Sequence, residues 1–116
     1  AIFTINQIKE ILPTLEDTGS IISVFAGRIY DIGLDASQML REIASYVHDN
    51  SNCNLLWASP RMHYDLITAE KSGCDIITMT NAMFKKLSLL NKTPEEYSLE
   101  TVKMFYEDAV SSGFKI

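Results

Sequence analysis

The sequence predicts an α/β fold in which short buried β-strands alternate with longer α-helices. Short apolar runs rich in β-forming residues recur along the chain, and the segments between them carry apolar residues at helical spacing. The apolar runs are hydrophobic throughout, which is typical of parallel strands covered by helices. We therefore expect a repeated strand–helix unit with four parallel strands, each buried on both faces.

The first half of the chain is predicted to hold two strands, each followed by a helix. The helix at 7–15 has apolar residues on one face, and the helix at 36–48 has them at inward spacings. Gly19 interrupts the chain between the first helix and the next strand. The predicted elements are the end of a strand at 1–4, a helix at 7–15, a strand at 21–25 and a helix at 36–48.

The second half repeats the same order with clearer helix signals. Pro60 suits the first turn of a helix that runs to about residue 71, and Gly73 is placed as its C-terminal stop. Asn81 caps a short helix to residue 90, Thr93-Pro-Glu-Glu96 forms a capping box, and Ser98 opens the last helix, which ends at Gly113. The predicted strands lie at 53–58 and 75–80.

Composition limits the function. A chain of 116 residues with 47% hydrophobic and 22% charged residues is predicted to form one α/β domain, or part of one, over 1–116. The net charge of -5 without a basic run argues against nucleic acid and anionic membranes. No apolar run is long enough to cross a bilayer and no leader opens the chain, so we expect a cytosolic protein.

Cys53 and Cys74 have no metal or redox spacing and are expected to be buried thiols.

Two strands end in a serine and an arginine, and these ends are the candidate site. One is Ser23-Val-Phe-Ala-Gly-Arg28, and the other is Ser59-Pro-Arg61. Ligand sites in parallel α/β folds lie at the carboxyl ends of strands, and the planar fork of arginine suits a phosphate or carboxylate. The two pairs are therefore expected to converge on one anion.

Each candidate also has a simpler interpretation. Arg28 could pair with Asp31 or Asp35 and only stabilise its own turn. Ser59 could be the N-cap of the following helix, a role that is compatible with binding an anion. The remaining polar and aromatic candidates are assigned structural roles: Trp57 in the core, His48 at a helix end as a dipole partner, and His63 on a solvated helix.

Five stretches carry a resemblance to a known family. They lie at 3–7, 23–31, 57–61, 73–80 and 98–106, and Ser23-Val-Phe-Ala-Gly-Arg28-Ile-Tyr-Asp31 and Trp57-Ala-Ser59-Pro-Arg61 are the specific ones. The chain resembles the small transaldolases, a group that includes proteins similar to fructose-6-phosphate aldolase and is built as a (β/α)8 barrel. The resemblance implies the C-terminal half of that TIM barrel, strands five to eight, with a C-terminal helical arm.

The resemblance implies a class I aldol mechanism without a metal or a dissociable cofactor. A lysine amine forms a Schiff base with a ketose phosphate of the fructose 6-phosphate or sedoheptulose 7-phosphate class, and a dihydroxyacetone unit moves to an aldose phosphate. The family's lysine lies on strand four, and its aspartate and glutamate lie on the first and third strands. None of these three positions falls within this chain, whose lysines stand in helical or terminal contexts: Lys9, Lys71, Lys85, Lys86, Lys92, Lys103 and Lys115.

The resemblance also assigns the residues that would bind substrate. Arg28, Ser59 and Arg61 would bind its phosphate, and Ser23 would contact the sugar chain. Phe25 stands where transaldolases proper have phenylalanine and fructose-6-phosphate aldolases have tyrosine, which favours transfer over cleavage. Pro60 departs from the phenylalanine that the family often has between the serine and arginine, so the reach of Arg61 is open.

The resemblance and the predicted strands together imply partners. Four strands of a larger barrel would leave two unpaired edges, so the remaining barrel half or another subunit is expected to cover them. The apolar stripe of the last helix implies a homo-oligomer in which this arm packs on a neighbouring subunit. The alternatives are a non-catalytic half-barrel that binds or assembles, a fructose-6-phosphate aldolase-like lyase and, with little support, an open flavodoxin-like sheet that binds a flavin phosphate.

Overall fold

A computed structural model describes residues 2–113 and divides the chain into two compact units, Ala1–Lys85 and Lys86–Ile116. The first unit is built on a parallel sheet of three strands: β1 (Ile21–Val24), β2 (Asn54–Trp57) and β3 (Ile76–Ile77), in the order β1-β2-β3. β1 and β2 pair along their full lengths, with Ile21 opposite Asn54 and Val24 opposite Trp57. The predicted α/β class with parallel strands is confirmed, whereas a single domain over 1–116 stays a prediction.

The strands are shorter than the apolar runs suggested. Of the strand predicted at 1–4, the described residues form one isolated parallel bridge, between Ile2 and Val24. The strand predicted at 75–80 pairs only at Ile76 and Ile77.

The prediction that the strands are buried on both faces is wrong. Ile22, Val24, Leu55 and Trp57 are buried beneath the helices, but on the opposite face Ile21 is 57% exposed. On that second face Asn54 is also exposed, and Ser23 and Leu56 are only half-buried. The helices therefore cover one face of the sheet, and the other face is open.

Five helices belong to this unit: α1 (Ile5–Leu15), α2 (Ala26–Asp31), α3 (Ala36–Asn50), α4 (Asp65–Ser72) and α5 (Asn81–Lys85). α1 begins two residues before its predicted start because Thr4 and Gln7 form a reciprocal capping box. α3 begins at its predicted start because the Asp35 carboxylate accepts hydrogen bonds from the N–H groups of Ser37 and Gln38. Its predicted inward residues Leu40, Ile43 and Val47 are buried.

At the carboxyl edge of the sheet, two helices differ from the sequence prediction. α2 follows β1 after one residue and was not predicted, since six residues are too few for a periodic pattern. α4 begins at Asp65 rather than at Pro60. The segment before it is instead a turn whose N–H groups, those of Arg61 and Met62, donate to the Asp65 carboxylate at 2.7 and 3.2 Å. Gly73 ends α4 in a left-handed conformation, as predicted.

At the opposite, amino edge of the sheet, the Asp75 carboxylate connects β2 to the end of α3. Asp75 Oδ2 accepts the Leu55 N–H at 2.8 Å and lies 2.7 Å from His48 Nε2 at the end of α3. Burial of Asp75 opposes its ionisation, but the hydrogen bonds from Leu55 and His48 prevail and lower the pKa of Asp75. His48 thus has a specific acidic partner, which the dipole interpretation did not include.

The second unit consists of a 3-10 helix (Leu87–Asn91) and α6 (Pro94–Ser111). Asn81 and the residues to 90 were predicted as one helix, but they form α5 and most of this 3-10 helix. Thr93 caps α6 by accepting the Glu96 N–H, so Ser98 lies inside the helix and does not open it. Gly113, with φ of 82°, follows its last turn as predicted. Among residues 2–113, no helix combines the length and the apolar character that crossing a membrane requires.

The Asp75 link predicts a pH-dependent stability. Because folding lowers the pKa of Asp75, its contribution is complete above the ordinary aspartate range and is lost as the pH falls through the lower folded-state pKa. We expect Asp75→Asn to reduce the free energy of unfolding by about 1 kcal/mol at neutral pH, with a smaller difference in acid. Urea unfolding at several pH values measures this. Asp49→Asn, an exposed acid on the same helix as His48, should change little; equal losses from both variants would contradict the role of Asp75.

Candidate functional site

The carboxyl ends of β1 and β2 meet through a backbone contact at Gly27. The Gly27 N–H donates to the Ala58 carbonyl at 3.3 Å, and a Cβ added to Gly27 would lie 1.5 Å from the Ser59 carbonyl oxygen. Gly27 does not have a positive φ, so its lack of a side chain is required for space and not for backbone conformation. This contact holds together the segments that carry Arg28 and Arg61, whereas their convergence on one anion stays a prediction.

Ser59 has an unusual backbone conformation at this contact. Its φ of 56° is the one positive φ of a non-glycine residue within residues 2–113. The left-handed region costs a residue with a side chain roughly 1–2 kcal/mol, and the following Pro60 further restricts Ser59. The interpretation of Ser59 as the N-cap of the next helix is wrong, because α4 begins six residues later with Tyr64 at its N-cap position. Strain of this kind is concentrated at functional sites.

Arg61 forms a two-pronged ion pair with Asp31 of α2. Its Nε donates to Asp31 Oδ1 at 2.9 Å and its Nη2 donates to Asp31 Oδ2 at 2.5 Å. The hydrogen bond from Arg61 is the main reason that the pKa of Asp31 is lowered, and Asp31 in turn raises the pKa of Arg61. Both side chains are about half exposed, at 41% and 50%, so solvent screens much of the attraction.

The backbone of Arg61 is held separately, by a buried carboxylate. Asp65 is 4% exposed and accepts the Arg61 N–H at 2.7 Å. Beside it, burial raises the pKa of Tyr30, and the charges of Asp65 and Asp35 add to this effect. A cavity of about 450 Å³ lies next to Arg61, and its lining residues are Tyr30, Arg61, Met62, Tyr64, Asp65 and Thr68.

Arg28 lies exposed on α2, three residues before Asp31 and therefore on the same side of the helix. Its charge contributes to the lowered pKa of Asp31, so both arginines act on one carboxylate. Within residues 2–113, however, Arg28 takes part in no ion pair. The simpler interpretation paired Arg28 with Asp31 or Asp35, but Asp31 binds Arg61 and Asp35 caps α3.

The two residues predicted to contact the sugar lie close to the same edge. Ser23 is half-buried on the uncovered face of β1, and Phe25 follows the strand. The Phe25 ring is half-buried, with its centroid 6.0 Å from that of Phe3. No described contact joins either side chain to Arg28 or Arg61, so their roles stay predictions.

The structure agrees in part with the structural roles assigned to other residues. Trp57 is fully buried in the core, as predicted, and its indole Nε1 has no hydrogen-bond partner among residues 2–113. Cys53 is buried and Cys74 is half-buried, where burial raises the pKa of Cys74 to about 12 and keeps the thiol protonated. Six of the lysines are exposed or half-exposed on helices and turns, and Lys115 lies outside the described residues.

Sequence reasoning missed two residues that shape this site, Gly27 and Asp65, and paired a third, Asp31, with a different arginine. Gly27 could have been found from its place directly before Arg28, since a glycine beside a strand end often marks a close backbone approach. Asp31 was considered, but for the wrong arginine. Asp65 carried no signal, because one acid on a predicted helix is usually solvated.

Comparisons with known proteins bear on this site. A family model described as Transaldolase/Fructose-6-phosphate aldolase matches residues 1–116. Two proteins from two strains of Thermus thermophilus are each described as "Probable transaldolase" and are each 34% identical to this chain over 87 residues. The alignment covers 74% of this chain and 38% of each relative. The chain therefore spans well under half the length of these relatives.

The Gly27 contact predicts that adding one methyl group, in Gly27→Ala, reduces the free energy of unfolding by an unusually large amount. Because the added Cβ would overlap the Ser59 carbonyl, Gly27→Ala must push the two strand ends apart. We expect it to reduce the free energy of unfolding by about 3 kcal/mol, at the upper end for overpacking. The matched control is Gly33→Ala, which has a positive φ of 84° but open space around it, and should cost about 1 kcal/mol. Urea unfolding of both variants measures the difference; equal costs would show that the strand ends separate freely.

Proposed function

Because this chain belongs to the transaldolase/fructose-6-phosphate aldolase family, we propose that the intact protein is a transaldolase and that residues 2–113 supply its phosphate-binding part. The observation that supports this most is the position of both arginines at the carboxyl edge of a parallel sheet, where Arg61 binds Asp31 and Arg28 lies three residues before Asp31 on α2. Parallel α/β proteins bind ligands at that edge, and two guanidinium groups are suited to a dianionic sugar phosphate.

The proposed reaction moves a three-carbon unit between sugar phosphates. A lysine amine upstream of this chain condenses with the ketose carbonyl and releases water, which gives a Schiff base. The neighbouring carbon–carbon bond then breaks, with its electron pair drawn toward the imine, and an aldose phosphate leaves. The retained dihydroxyacetone unit adds to the carbonyl carbon of a second aldose phosphate, and water releases the product from the lysine.

In this proposal the described residues bind and orient the substrate. Arg28 and Arg61 bind the phosphate, and the Ser59 hydroxyl donates to it from its strained position. Ser23 contacts the sugar chain from the uncovered face of β1. Fixing the phosphate places the distant carbonyl against the lysine, and such positioning lowers the barrier without further chemistry from these side chains.

We also propose that the first unit is part of a (β/α)8 barrel, strands five to eight, and that the rest of the barrel covers the open sheet face. The support is the half-open sheet, on which Ile21 is 57% exposed, and the 38% of each relative that the alignment covers. In a closed barrel the second face of each strand points inward, so Ile21 and Ser23 would line the interior. A cytosolic location belongs to the same proposal.

The helical arm stays a proposed contact with a second copy of the protein. On α6 the apolar side chains of Val102, Phe105 and Tyr106 are each more than half exposed, at 62%, 62% and 56%. We expect Phe105→Glu to reduce the sedimentation coefficient of the intact protein; an unchanged value would remove α6 from the interface.

A fructose-6-phosphate aldolase-like lyase is the second candidate, since the matching family description includes that activity. Phe25 favours transfer over cleavage in the proposal, because a phenylalanine cannot assist proton transfer as a tyrosine phenol can. A non-catalytic binding half-barrel is the remaining alternative. Products formed from fructose 6-phosphate with and without an aldose phosphate acceptor distinguish the three.

The phosphate role of Arg28 predicts a selective defect. Arg28→Lys keeps the charge but loses the planar fork, so we expect about a tenfold higher KM for fructose 6-phosphate. The KM for unphosphorylated dihydroxyacetone should stay near its original value. Arg41→Lys, an exposed arginine on α3, is the control and should change neither. Equal increases for both substrates with Arg28→Lys would remove Arg28 from the phosphate site.

Covalent trapping tests where the nucleophile lies. Borohydride reduces a Schiff base to a stable amine, so the intact protein treated with fructose 6-phosphate should gain the mass of one reduced adduct. Peptide mapping should place that adduct on a lysine upstream of this chain, because the described lysines are exposed or half-exposed and lack the desolvation that activates an amine. An adduct on any lysine of this chain would contradict this placement, and no adduct at all would contradict the proposed chemistry.

A further inference from the structure

The Arg61–Asp31 ion pair leaves part of the guanidinium group available. Asp31 occupies the side edge of Arg61, formed by Nε and one N–H of Nη2. The end edge, formed by Nη1 and the second N–H of Nη2, has no hydrogen-bond partner among residues 2–113. Because a guanidinium group has five N–H donors in one plane, the side edge and the end edge can each bind an oxygen anion at the same time.

The position of this arginine is fixed at three points. Its backbone N–H donates to the buried Asp65, and its side-chain fork is held by Asp31 of α2. Its guanidinium carbon lies 3.2 Å from the site where a Cβ on Gly27 would be, at the start of the same helix. The helix that carries Arg28 thus also carries the acid that orients Arg61.

We propose that Asp31 is a positioning residue, which holds Arg61 by its side edge and presents its end edge, beside Arg28, to the substrate phosphate. This inference rests on the proposed function, and it assigns a role to a residue whose charge has the wrong sign for binding an anion. Asp31 remains bound to Arg61 when the phosphate is bound. The phosphate thus binds Arg61 at the end edge and does not replace the Asp31 carboxylate at the side edge.

Two effects of Asp31 oppose each other, and their balance sets the sign of the test. Its negative charge repels a phosphate, but Asp31 and Arg61 are about half exposed, so water and salt screen this repulsion. The ordering of a long arginine side chain is not screened. Without Asp31, the Arg61 side chain becomes ordered only when phosphate binds, and the conformational entropy lost then weakens binding. This entropy loss is the larger effect because arginine has high rotamer entropy.

The experiment measures binding of inorganic phosphate to the intact protein by calorimetry. We expect Asp31→Ala to raise the Kd about five- to tenfold, an estimate from the rotamer entropy of arginine less the screened repulsion. The increase should become larger at higher salt, as the benefit of removing a negative charge is screened. Asp31→Glu should recover part of the affinity. Asp17→Ala removes an equal exposed charge at the amino edge of β1, and should leave the Kd unchanged.

The outcomes separate this inference from the function on which it rests. If Arg61→Ala leaves the Kd for phosphate unchanged, the proposed phosphate site fails. If Arg61→Ala weakens binding but Asp31→Ala leaves it unchanged or tightens it, the phosphate site stands and the positioning role is wrong. Steady-state kinetics give an independent readout: Asp31→Ala should raise the KM for fructose 6-phosphate with little change in kcat, whereas general unfolding of the site would lower kcat as well.

Discussion

The close approach of Gly27 to the Ser59 carbonyl is the constraint on which the candidate site depends. Parallel pairing of β1 with β2 brings the two strand ends to one edge, but pairing alone leaves the following segments free to diverge. The absence of a side chain at Gly27 lets the first turn of α2 lie directly against the turn that carries Ser59 and Arg61. Arg61 can therefore reach Asp31 across the two segments, and Arg28 lies on the helix that carries Asp31.

The proposed phosphate site requires an acidic protein to bind an anion locally. The chain has a net charge of -5, and Asp31, Asp35 and Asp65 occur with the two arginines in the segments that follow β1 and β2. Each acid has a defined hydrogen-bonding role: Asp31 holds the Arg61 side chain, Asp65 holds its backbone, and Asp35 caps α3. Among residues 2–113, Arg28 takes part in no ion pair and the end edge of Arg61 has no hydrogen-bond partner, so these are the groups that we propose for binding a phosphate.

The sequence predicted the features that depend on local patterns. The buried stripe of α3, the Gly73 helix end and the capping of α6 by Thr93 all follow from residue type and spacing. The convergence of the two strand ends followed from the parallel topology. The family was also identified from its motifs, and the match over residues 1–116 confirms it.

The features that the sequence did not predict depend on contacts between distant segments. The pairing of Arg61 with Asp31 joins residues 30 positions apart, and nothing local distinguishes it from a pair with Arg28. The late start of α4 depends on Asp65 binding the preceding turn, which outweighs the signal of Pro60. The open sheet face was misread because its apolar residues resemble those of a strand covered on both sides.

A structure of the intact protein with bound fructose 6-phosphate tests the central claim most directly. We expect phosphate oxygens within hydrogen-bond distance of the guanidinium groups of both Arg28 and Arg61, about 2.7–3.2 Å between heavy atoms. We also expect the Asp31 carboxylate to remain bound to the side edge of Arg61. A phosphate bound elsewhere, with both arginines facing solvent or acidic neighbours, would contradict the account.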